Sequence, residues 1–240
     1  MNAPKKLFLV DGSNQAFRAF FAIKGDLRND QGFPTGALFG FANMLRKTLR
    51  DEAPDFMAVM FDVGPSFRND LFPEYKGHRP DMPEDLRLQW PEFQGFCQDW
   101  GVFATAMPGY EADDVIGTLA HRYASDELQV TIVSNDKDLA QLVNDNVRLL
   151  RFGRDGEQIM GAVEVEAKFG VPPNKIVELL SLMGDKSDNI PGVPGVGPKK
   201  AAQFIQRFGT AEGVVSGAAE IGGKTGERVA ESAAAVTMAR

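Results

Sequence analysis

Short apolar runs alternate with longer amphipathic segments in the first 150 residues, and this alternation restricts the fold more than any other feature of the chain. Two intervening segments, residues 35–50 and 85–100, carry apolar residues at helical spacing, and a third helix is expected to begin near Glu111. The alternation predicts an α/β fold with a parallel sheet flanked by helices. The predicted strands are residues 7–10, 56–61, 102–106, 130–133 and 147–150.

The sequence changes character after residue 164, where strand-like runs stop and short helices separated by Gly and Pro follow. Pro172 and Pro173 are predicted to start one helix, and Gly184 marks its end. We therefore predict an α/β domain over residues 1–164 and a helical domain over residues 165–240.

Composition restricts the environment of the chain. Cys97 is the single cysteine, so an internal disulfide is excluded and a reducing compartment is expected. No apolar run is long enough for a signal peptide or a membrane span, so we expect a cytoplasmic protein with no membrane partner. The net charge of −7, taken by itself, argues against a nucleic-acid partner. The carboxylates assigned to metals below outnumber that excess, so the acidity is compatible with a metal site.

Acidic residues follow three of the predicted strands and open the helix after a fourth. The carboxyl ends of parallel strands lie at one edge of a sheet, where ligands bind, so the fold should bring these acids together. Each acid alone could be an ordinary helix cap. Together they would repel one another unless a cation neutralised them. The acids are Asp11, Asp62, Glu111, Asp113, Asp114, Asp136 and Asp138.

The expected cation is hard, because neither histidine nor Cys97 falls within the acidic clusters and every candidate ligand atom is oxygen. This favours Mg²⁺ or Mn²⁺ over zinc. Two further acids, Asp185 and Asp188, stand at the entrance of the helical domain and could complete a second ion site. Two neighbouring divalent ions can activate a water and stabilise the leaving oxygen in phosphodiester cleavage.

A glycine-rich turn over residues 190–201 leads into a helix with two lysines in its first turn. Small residues let backbone amides approach a phosphate, which a helix N-terminus also attracts. The pattern resembles a helix-hairpin-helix, which grips DNA backbone without reading sequence, while the alternative is an ordinary Gly-rich linker. The residues expected to face DNA are Gly192, Gly195, Gly197, Lys199 and Lys200, with Arg207 further along the helix.

The segment over residues 66–79 mixes aromatic and basic side chains. Aromatic rings there could stack on bases while the cations meet phosphates, although a solvated loop with a short helix fits the composition equally well. The aromatic residues are Phe67, Phe72 and Tyr75, and the basic ones are Arg68, Lys76 and Arg79.

Six motifs in order along residues 5–210 closely resemble those of the 5′-nuclease domain of bacterial DNA polymerase I. The resemblance implies a PIN-like α/β sheet, a helical arch over residues 63–85 and a helix-hairpin-helix over residues 184–208. Residues after Thr210 match poorly and receive no role. The motifs are Leu-Val-Asp-Gly-Ser13, Phe-Asp62, Tyr-Lys-Gly-His-Arg-Pro80, Gly-Tyr-Glu-Ala-Asp-Asp-Val-Ile-Gly117, Asn-Asp-Lys-Asp138 and Met-Gly-Asp-Lys-Ser-Asp-Asn-Ile-Pro-Gly-Val-Pro-Gly-Val-Gly197.

The same resemblance assigns roles to individual side chains. One divalent ion is assigned to Asp11, Asp62, Glu111 and Asp113 with Asp114 alongside, and the other to Asp136, Asp138, Asp185 and Asp188. Lys76, Arg79 and Arg18 are expected to face the scissile phosphate, and Tyr75 is expected to stack on a terminal base. A K⁺ ion is expected at the helix-hairpin-helix.

These assignments imply a structure-specific 5′-nuclease that leaves a 5′-phosphate and a 3′-hydroxyl. The expected partner is DNA with 5′ flaps or 5′ ends, in the bacterial nucleoid, with the chain acting as a monomer. RNA primers and a fused or separate DNA polymerase stay open. One rival is a metal-bound scaffold that binds DNA junctions without cutting. A second, a haloacid-dehalogenase-like phosphatase, needs an Asp where Ser13 stands.

Overall fold

A single sheet of six strands organises the N-terminal part of the protein. We describe it from a computed structural model, over residues 3–23, 25–153 and 156–240. In space the strands run third, second, first, fourth, fifth, sixth, and the four pairings among the first five are parallel. They are β1 (Lys5–Asp11), β2 (Phe56–Phe61), β3 (Phe103–Ala106), β4 (Leu128–Val133), β5 (Val147–Gly153) and β6 (Gly156–Met160).

Strand order reverses between β1 and β4, which are neighbours in the sheet although β2 and β3 separate them in sequence. In an open parallel sheet, such a switch point leaves a crevice beyond the carboxyl ends of the strands. The helices that connect and cover the strands are α1 (Gly12–Ala22), α2 (Gly36–Glu52), α3 (Phe67–Leu71), α4 (Glu84–Gln89), α5 (Glu92–Asp99) and α6 (Ala112–Tyr123).

Two compact units make up the chain, and each is described by itself. The first comprises residues 1–67, 80–136 and 146–159. Its core packs strand residues against fully buried helix aromatics: Phe8 of β1, Phe41 of α2 and Phe93 of α5 are all inaccessible to solvent. The rings of Phe41 and Phe93 meet edge to face at 5.1 Å. Burial of such aromatic side chains stabilises this unit by a few kcal/mol each, roughly.

The second unit comprises residues 68–79, 137–145 and 160–240 and is helical. These boundaries differ from the domain boundary predicted at residue 164. That boundary stays a prediction. Buried Glu178 accepts a hydrogen bond of 2.8 Å from the Ala211 amide, which joins two helices of this unit. The helices are α7 (Ala162–Phe169), α8 (Ile176–Met183), α9 (Pro198–Phe208), α10 (Ala211–Ser216), α11 (Ala218–Ile221), α12 (Gly223–Glu231) and α13 (Ala233–Met238), with short 3-10 helices at Asp138–Leu142 and Pro173–Lys175.

The α/β class and all five predicted strands are confirmed, as are the helices near residues 35–50 and after Glu111. The single helix predicted over residues 85–100 is wrong, because the chain forms α4 and α5 with Pro91 between them. Proline has no amide hydrogen to donate and interrupts the hydrogen-bond ladder of a helix. Strand β6 was not predicted, because its residues are mostly exposed at the sheet edge and carry little apolar pattern.

Across the described residues, none of the helices has both the length and the apolar character that crossing a bilayer requires.

Candidate functional site

Asp11 ends β1 at the switch point of the sheet and also begins α1 as its N-cap. Its Oδ1 accepts a hydrogen bond of 2.9 Å from the Asn14 amide, and its Oδ2 accepts one of 2.8 Å from the Ser134 hydroxyl. The side chain of Ser134 is fully buried directly after β4. The helix-cap interpretation of Asp11 is therefore correct, but it leaves open a second role for a carboxylate that lies at this edge.

The electrostatic surroundings of Asp11 are unusual for a cap. Only 5% of the residue is exposed. Burial, with smaller contributions from the nearby Asp62 and Asp136 carboxylates, raises the pKa of Asp11 to about 7, although the hydrogen bonds from Asn14 and Ser134 oppose this rise. Three predicted metal ligands thus share one electrostatic environment, in which a bound cation would favour the ionised forms.

Asp62 follows β2 and links the sheet to the start of α6. Its Oδ1 accepts a hydrogen bond of 2.7 Å from the Ala112 amide, the first residue of that helix. Its own amide donates to the Ser13 hydroxyl over 2.8 Å. Gly12 lets the start of α1 lie this close to β2, because a Cβ there would approach the Phe61 ring to 2.6 Å.

The remaining acids of this group lie at the start of α6. The Asp114 carboxylate accepts a hydrogen bond of 2.9 Å from the Glu111 amide as part of a capping box. The Ser66 hydroxyl donates to Glu111 Oε1 over 3.4 Å. Asp113 lies between them and is partly buried. The helix start therefore fixes the backbone of three predicted ligands beside Asp62.

Asn135 shapes the turn that carries Asp136. Its side chain exchanges two hydrogen bonds with the Phe152 backbone, donating over 2.8 Å and accepting over 3.1 Å. The Asp136 amide donates to the Ser134 hydroxyl over 3.0 Å. Arg18 of α1 reaches the same Phe152 carbonyl over 3.3 Å and lies over the Phe152 ring, and burial lowers its pKa. Arg18, predicted to meet the scissile phosphate, thus shares an acceptor with the turn that carries a predicted ligand.

In the second unit, Lys137 pairs with two predicted ligands. Its Nζ contacts Asp185 Oδ2 and lies 3.2 Å from Asp138 Oδ1. Burial by itself would raise the pKa of Asp185, but the hydrogen bonds from Lys137 and Ser187 outweigh it and hold the pKa below its ordinary value. A lysine ammonium group thus provides positive charge between acids that were assigned to a metal ion.

Asp188 is engaged by residues from the predicted arch. Arg79 Nη2 lies 2.6 Å from Asp188 Oδ1, and the Tyr75 hydroxyl donates to Oδ2 over 3.1 Å. The Lys76 amide donates to the Asp188 carbonyl over 3.0 Å, and Lys76 Nζ lies 4.9 Å from the centre of the Tyr75 ring. Tyr75 is only 6% exposed, so stacking on a base would require it to move.

Arg68 lies in α3, the one α-helix in the predicted arch before residue 84.

The glycine-rich turn between α8 and α9 depends on close backbone contact. A Cβ on Gly192 would lie 2.2 Å from the Met183 carbonyl oxygen, and one on Gly184 would lie 2.3 Å from the Gly192 amide. Asp185 and Ile190 close the turn through reciprocal backbone hydrogen bonds of 2.9 and 2.8 Å. No residue with a side chain fits at either glycine without moving the backbone.

The lysines of α9 are placed as the sequence suggested, in the exposed first turn after N-cap Gly197. Lys200 Nζ lies 3.4 Å from the carbonyl of Gly195, which has a positive φ of 80°. A cleft of about 700 Å³ lies beside the turn and is lined by residues 183–186 and 189–196 together with His78. The turn therefore presents both backbone and cationic groups.

In their present conformations, the side chains of the predicted metal ligands do not converge into a coordination site. Among the described residues, no group of three or more His, Cys, Asp or Glu side chains is arranged to hold an ion. The carboxylates of Asp11, Asp62, Asp114 and Asp185 are instead turned toward protein donors. The donor set still fits Mg²⁺ or Mn²⁺, because it is all oxygen and includes a buried carboxylate with a raised pKa. Binding would exchange protein hydrogen bonds for metal ligation.

Four polar residues that position these acids were not predicted as site residues. Two lie in the first turn of α1 and two directly follow β4, and small hydroxyl and amide side chains near an acid are the sequence signal that could have revealed them. They are Ser13, Asn14, Ser134 and Asn135.

Comparison with known proteins gives matches along nearly the whole chain. A family described as "5'-3' exonuclease, N-terminal resolvase-like domain" matches residues 6–170, and "5'-3' exonuclease, C-terminal SAM fold" matches residues 171–240. A 5'-3' exonuclease of Aquifex aeolicus is 39% identical over 212 residues, covering 88% of this chain and 72% of the relative. DNA polymerase I of Bacillus caldotenax is 44% identical over 223 residues, which are 92% of this chain but 25% of the polymerase. The chain thus spans about a quarter of that relative's length.

Solved structures show the same fold. The flap endonuclease of bacteriophage T5, in a pseudo-enzyme-product complex with DNA and metal ions, superposes with a TM-score of 0.78. It is 24% identical, and the match covers 98% of this chain and 87% of the phage protein. A second structure of the phage exonuclease, described as binding zinc, gives a TM-score of 0.77 at 22% identity, covering 98% of this chain and 88% of that one.

Proposed function

The chain belongs to the 5'-3' exonuclease family of nucleases, and from this premise we propose that it hydrolyses DNA phosphodiester bonds at 5′ ends and 5′ flaps. The proposal includes two divalent cations, Mg²⁺ or Mn²⁺, held by nine acids. The products are a 5′-phosphate and a 3′-hydroxyl. The observation that carries the proposal is the buried Asp11 carboxylate, which shares its surroundings with Asp62 and Asp136 at the switch point of the sheet.

The first ion is assigned to Asp11, Asp62, Glu111 and Asp113, with Asp114 fixing the helix start. The second is assigned to Asp136, Asp138, Asp185 and Asp188. When bound, the cations supply an activated water and neutralise charge on the phosphate. The protein's part is to hold these acids in place, through the Asp62 backbone at Ser13, the Asp11 carboxylate at Ser134 and the first turn of α6.

We assign the positioning of the scissile phosphate to Lys76, Arg79 and Arg18. Guanidinium and ammonium groups stabilise the charge that develops on phosphate oxygens. Arg79 is paired with Asp188 in the protein alone, so substrate and cation would together replace that ion pair. A cation would then neutralise the Asp188 carboxylate, and a phosphate would pair with the Arg79 guanidinium.

The glycine-rich turn and the start of α9 are proposed to grip the DNA backbone. Gly192, Gly195 and Gly197 with Lys199 and Lys200 offer amides and cations to phosphates, and carbonyls beside the cleft could hold K⁺. These groups recognise phosphate and shape, so specificity should be for DNA structure rather than base sequence. Cooperation with a DNA polymerase is an extension suggested by the polymerase relatives, whereas action on RNA primers and association with the nucleoid stay expectations from the sequence.

The proposal is tested by cleavage of a 5′-labelled flap duplex, with products sized on a gel. Wild-type protein should cut near the flap junction with Mg²⁺ and not with EDTA. Asp113→Asn should lose at least about 100-fold in rate, because an amide replaces an anionic ligand. Asp99→Asn, an exposed acid at the end of α5, is the matched control and should cut like wild type.

Binding of the flap without cutting under all conditions would contradict the proposal and favour a DNA-junction scaffold. Equal cutting by Asp113→Asn and wild type would also contradict the assignment of the acids.

A further inference from the structure

Four exposed apolar side chains follow the carboxyl ends of β2 and β3 in sequence. They are Val63, Phe67, Met107 and Tyr110, which are 41%, 40%, 49% and 49% exposed. We call the rings of Phe67 and Tyr110, which lie 5.8 Å apart, the aromatic platform. Large apolar side chains grouped at the surface near a candidate site suggest a ligand, because scattered ones would need no explanation.

Backbone contacts join the two segments that carry the platform. The Phe67 amide donates to the Gly109 carbonyl over 2.9 Å, and Ser66 pairs with Gly109 in a parallel bridge. The rings of Phe67 and Tyr110 lie 5.8 Å apart at 57°. Strands β2 and β3 pair up to Phe61 and Ala106, and Val63 and Met107 lie just beyond the ends of these strands. Two loops that are distant in sequence thus present one surface.

Predicted metal ligands adjoin this surface on both sides. Asp62 directly precedes Val63, and Glu111 directly follows Tyr110. The Ser66 hydroxyl donates to Glu111 Oε1 over 3.4 Å, and Asp62 accepts from the Ala112 amide over 2.7 Å. The platform is therefore built into the same loops that position the acids.

We propose that the aromatic platform binds a nucleobase of the cleaved strand, next to the scissile phosphate. The inference rests on the proposed function, because it takes a DNA strand as the occupant of the acidic edge. Every base has an aromatic face, so stacking on Phe67 and Tyr110 orders the strand without selecting sequence. It complements phosphate contacts, which fix register along the backbone.

The first test uses 2-aminopurine, a fluorescent base that is quenched on stacking, at the nucleotide beside the cleavage position of the flap. Binding is measured with Ca²⁺, a hard cation with longer and more flexible ligand geometry than Mg²⁺, and a gel verifies that the substrate stays intact. Phe67→Leu and Tyr110→Leu keep apolar volume but remove a ring. Tyr110→Phe keeps the ring. Tyr123→Leu, 46% exposed at the other end of α6, is the control.

Wild type, Tyr110→Phe and Tyr123→Leu should quench the probe alike, whereas the two leucine variants at the platform should lose the quench. The same two variants should raise KM roughly 5- to 140-fold, the range that corresponds to loss of one stacked base, with a smaller change in kcat. Thermal melting should be close to wild type, because both side chains are exposed. Unchanged quenching and KM in both variants would overturn the proposal.

A second substrate separates this inference from the proposed function. An abasic nucleotide at the probe position should weaken wild type but give little further loss in the leucine variants. A wild type that quenches through Tyr110 but never cuts would remove the nuclease proposal and leave the platform standing. A wild type that cuts normal and abasic substrates equally would remove the platform and leave the nuclease standing.

Discussion

The Ser134 hydroxyl donates a hydrogen bond of 2.8 Å to Asp11 Oδ2 across 123 residues of sequence. It joins the ends of β1 and β4 at the point where strand order reverses. The same hydroxyl accepts from the Asp136 amide, so one buried serine sets the distance between two predicted ligands. The acids at this edge are therefore held by polar residues of the sheet before any cation binds.

A stability measurement distinguishes a buried Asp11 carboxylate from an exposed helix cap. Because the pKa of Asp11 rises from 3.8 to about 7 on folding, its contribution to stability is fully present below pH 3.8 and is lost as pH rises toward 7. Asp11→Asn keeps an acceptor for the Asn14 amide and removes this loss. Without metal at pH 8, we expect the variant to be more stable than wild type by up to about 4 kcal/mol, while losing cleavage.

The check is thermal unfolding in EDTA between pH 5 and pH 9, with Asp99→Asn alongside as an exposed control. If wild type and Asp11→Asn change stability in parallel across that range, Asp11 does not have the environment described.

The turn between α8 and α9 predicts a contrast between two glycines. Gly192→Ala should destabilise the protein by roughly 3 kcal/mol or more, because the new Cβ meets the Met183 carbonyl, which is backbone and cannot rotate away. Gly197→Ala should have less than about 1 kcal/mol of effect, since nothing lies within 4 Å and its φ is −100°. Chemical denaturation of both variants measures this difference, and equal destabilisation would show that the turn is not packed as described.

Phosphate contact by α9 should appear in the salt dependence of DNA binding. Lys199→Gln and Lys200→Gln should each weaken binding to any duplex sequence and reduce the slope of log Kd against log salt by about 0.9. Lys224→Gln, also exposed but on α12, should leave the slope unchanged. Fluorescence anisotropy at several salt concentrations gives the slopes. Identical slopes in all four proteins would place the DNA elsewhere.

The ion pair of Lys137 with Asp185 predicts competition with a divalent ion. Lys137→Met should lower the stability of the metal-free protein by on the order of 1 kcal/mol, because the half-buried Asp185 and Asp138 lose their positive partner. It should also increase Mn²⁺ affinity, since the ion no longer displaces an ammonium group. Lys47→Met, which removes the ion pair with Glu157, is the control. Calorimetric Mn²⁺ titration tests this, and weaker binding by Lys137→Met would mean that Lys137 supports the site instead.

Elements with strong patterns could be predicted from sequence. Strand 56–61 was placed to the residue, and Glu111 was correctly expected near the start of α6. Apolar periodicity predicts one continuous helix where Pro91 separates α4 from α5. Strand β6 has no apolar run because it is an exposed edge strand. Local pattern therefore predicts elements well where burial on one face dictates the residue types.

The partners of the site residues could not be predicted. Tyr75 and Arg79 reach Asp188 over more than 100 residues, and nothing in either segment specifies the other. Ser134 and Asn135 have ordinary side chains whose importance comes from strand order. Such contacts depend on tertiary packing. The sequence could therefore predict which residue types gather at the edge of the sheet, but not which pairs form hydrogen bonds or ion pairs.

We propose that nine acids hold two divalent cations. Anomalous diffraction from crystals grown with Mn²⁺ tests it most directly. The account predicts two strong peaks, one ligated by Asp11, Asp62 and the acids of α6, and the other by Asp138, Asp185 and Asp188 with Asp136. A single peak, or manganese bound away from these carboxylates, would contradict it.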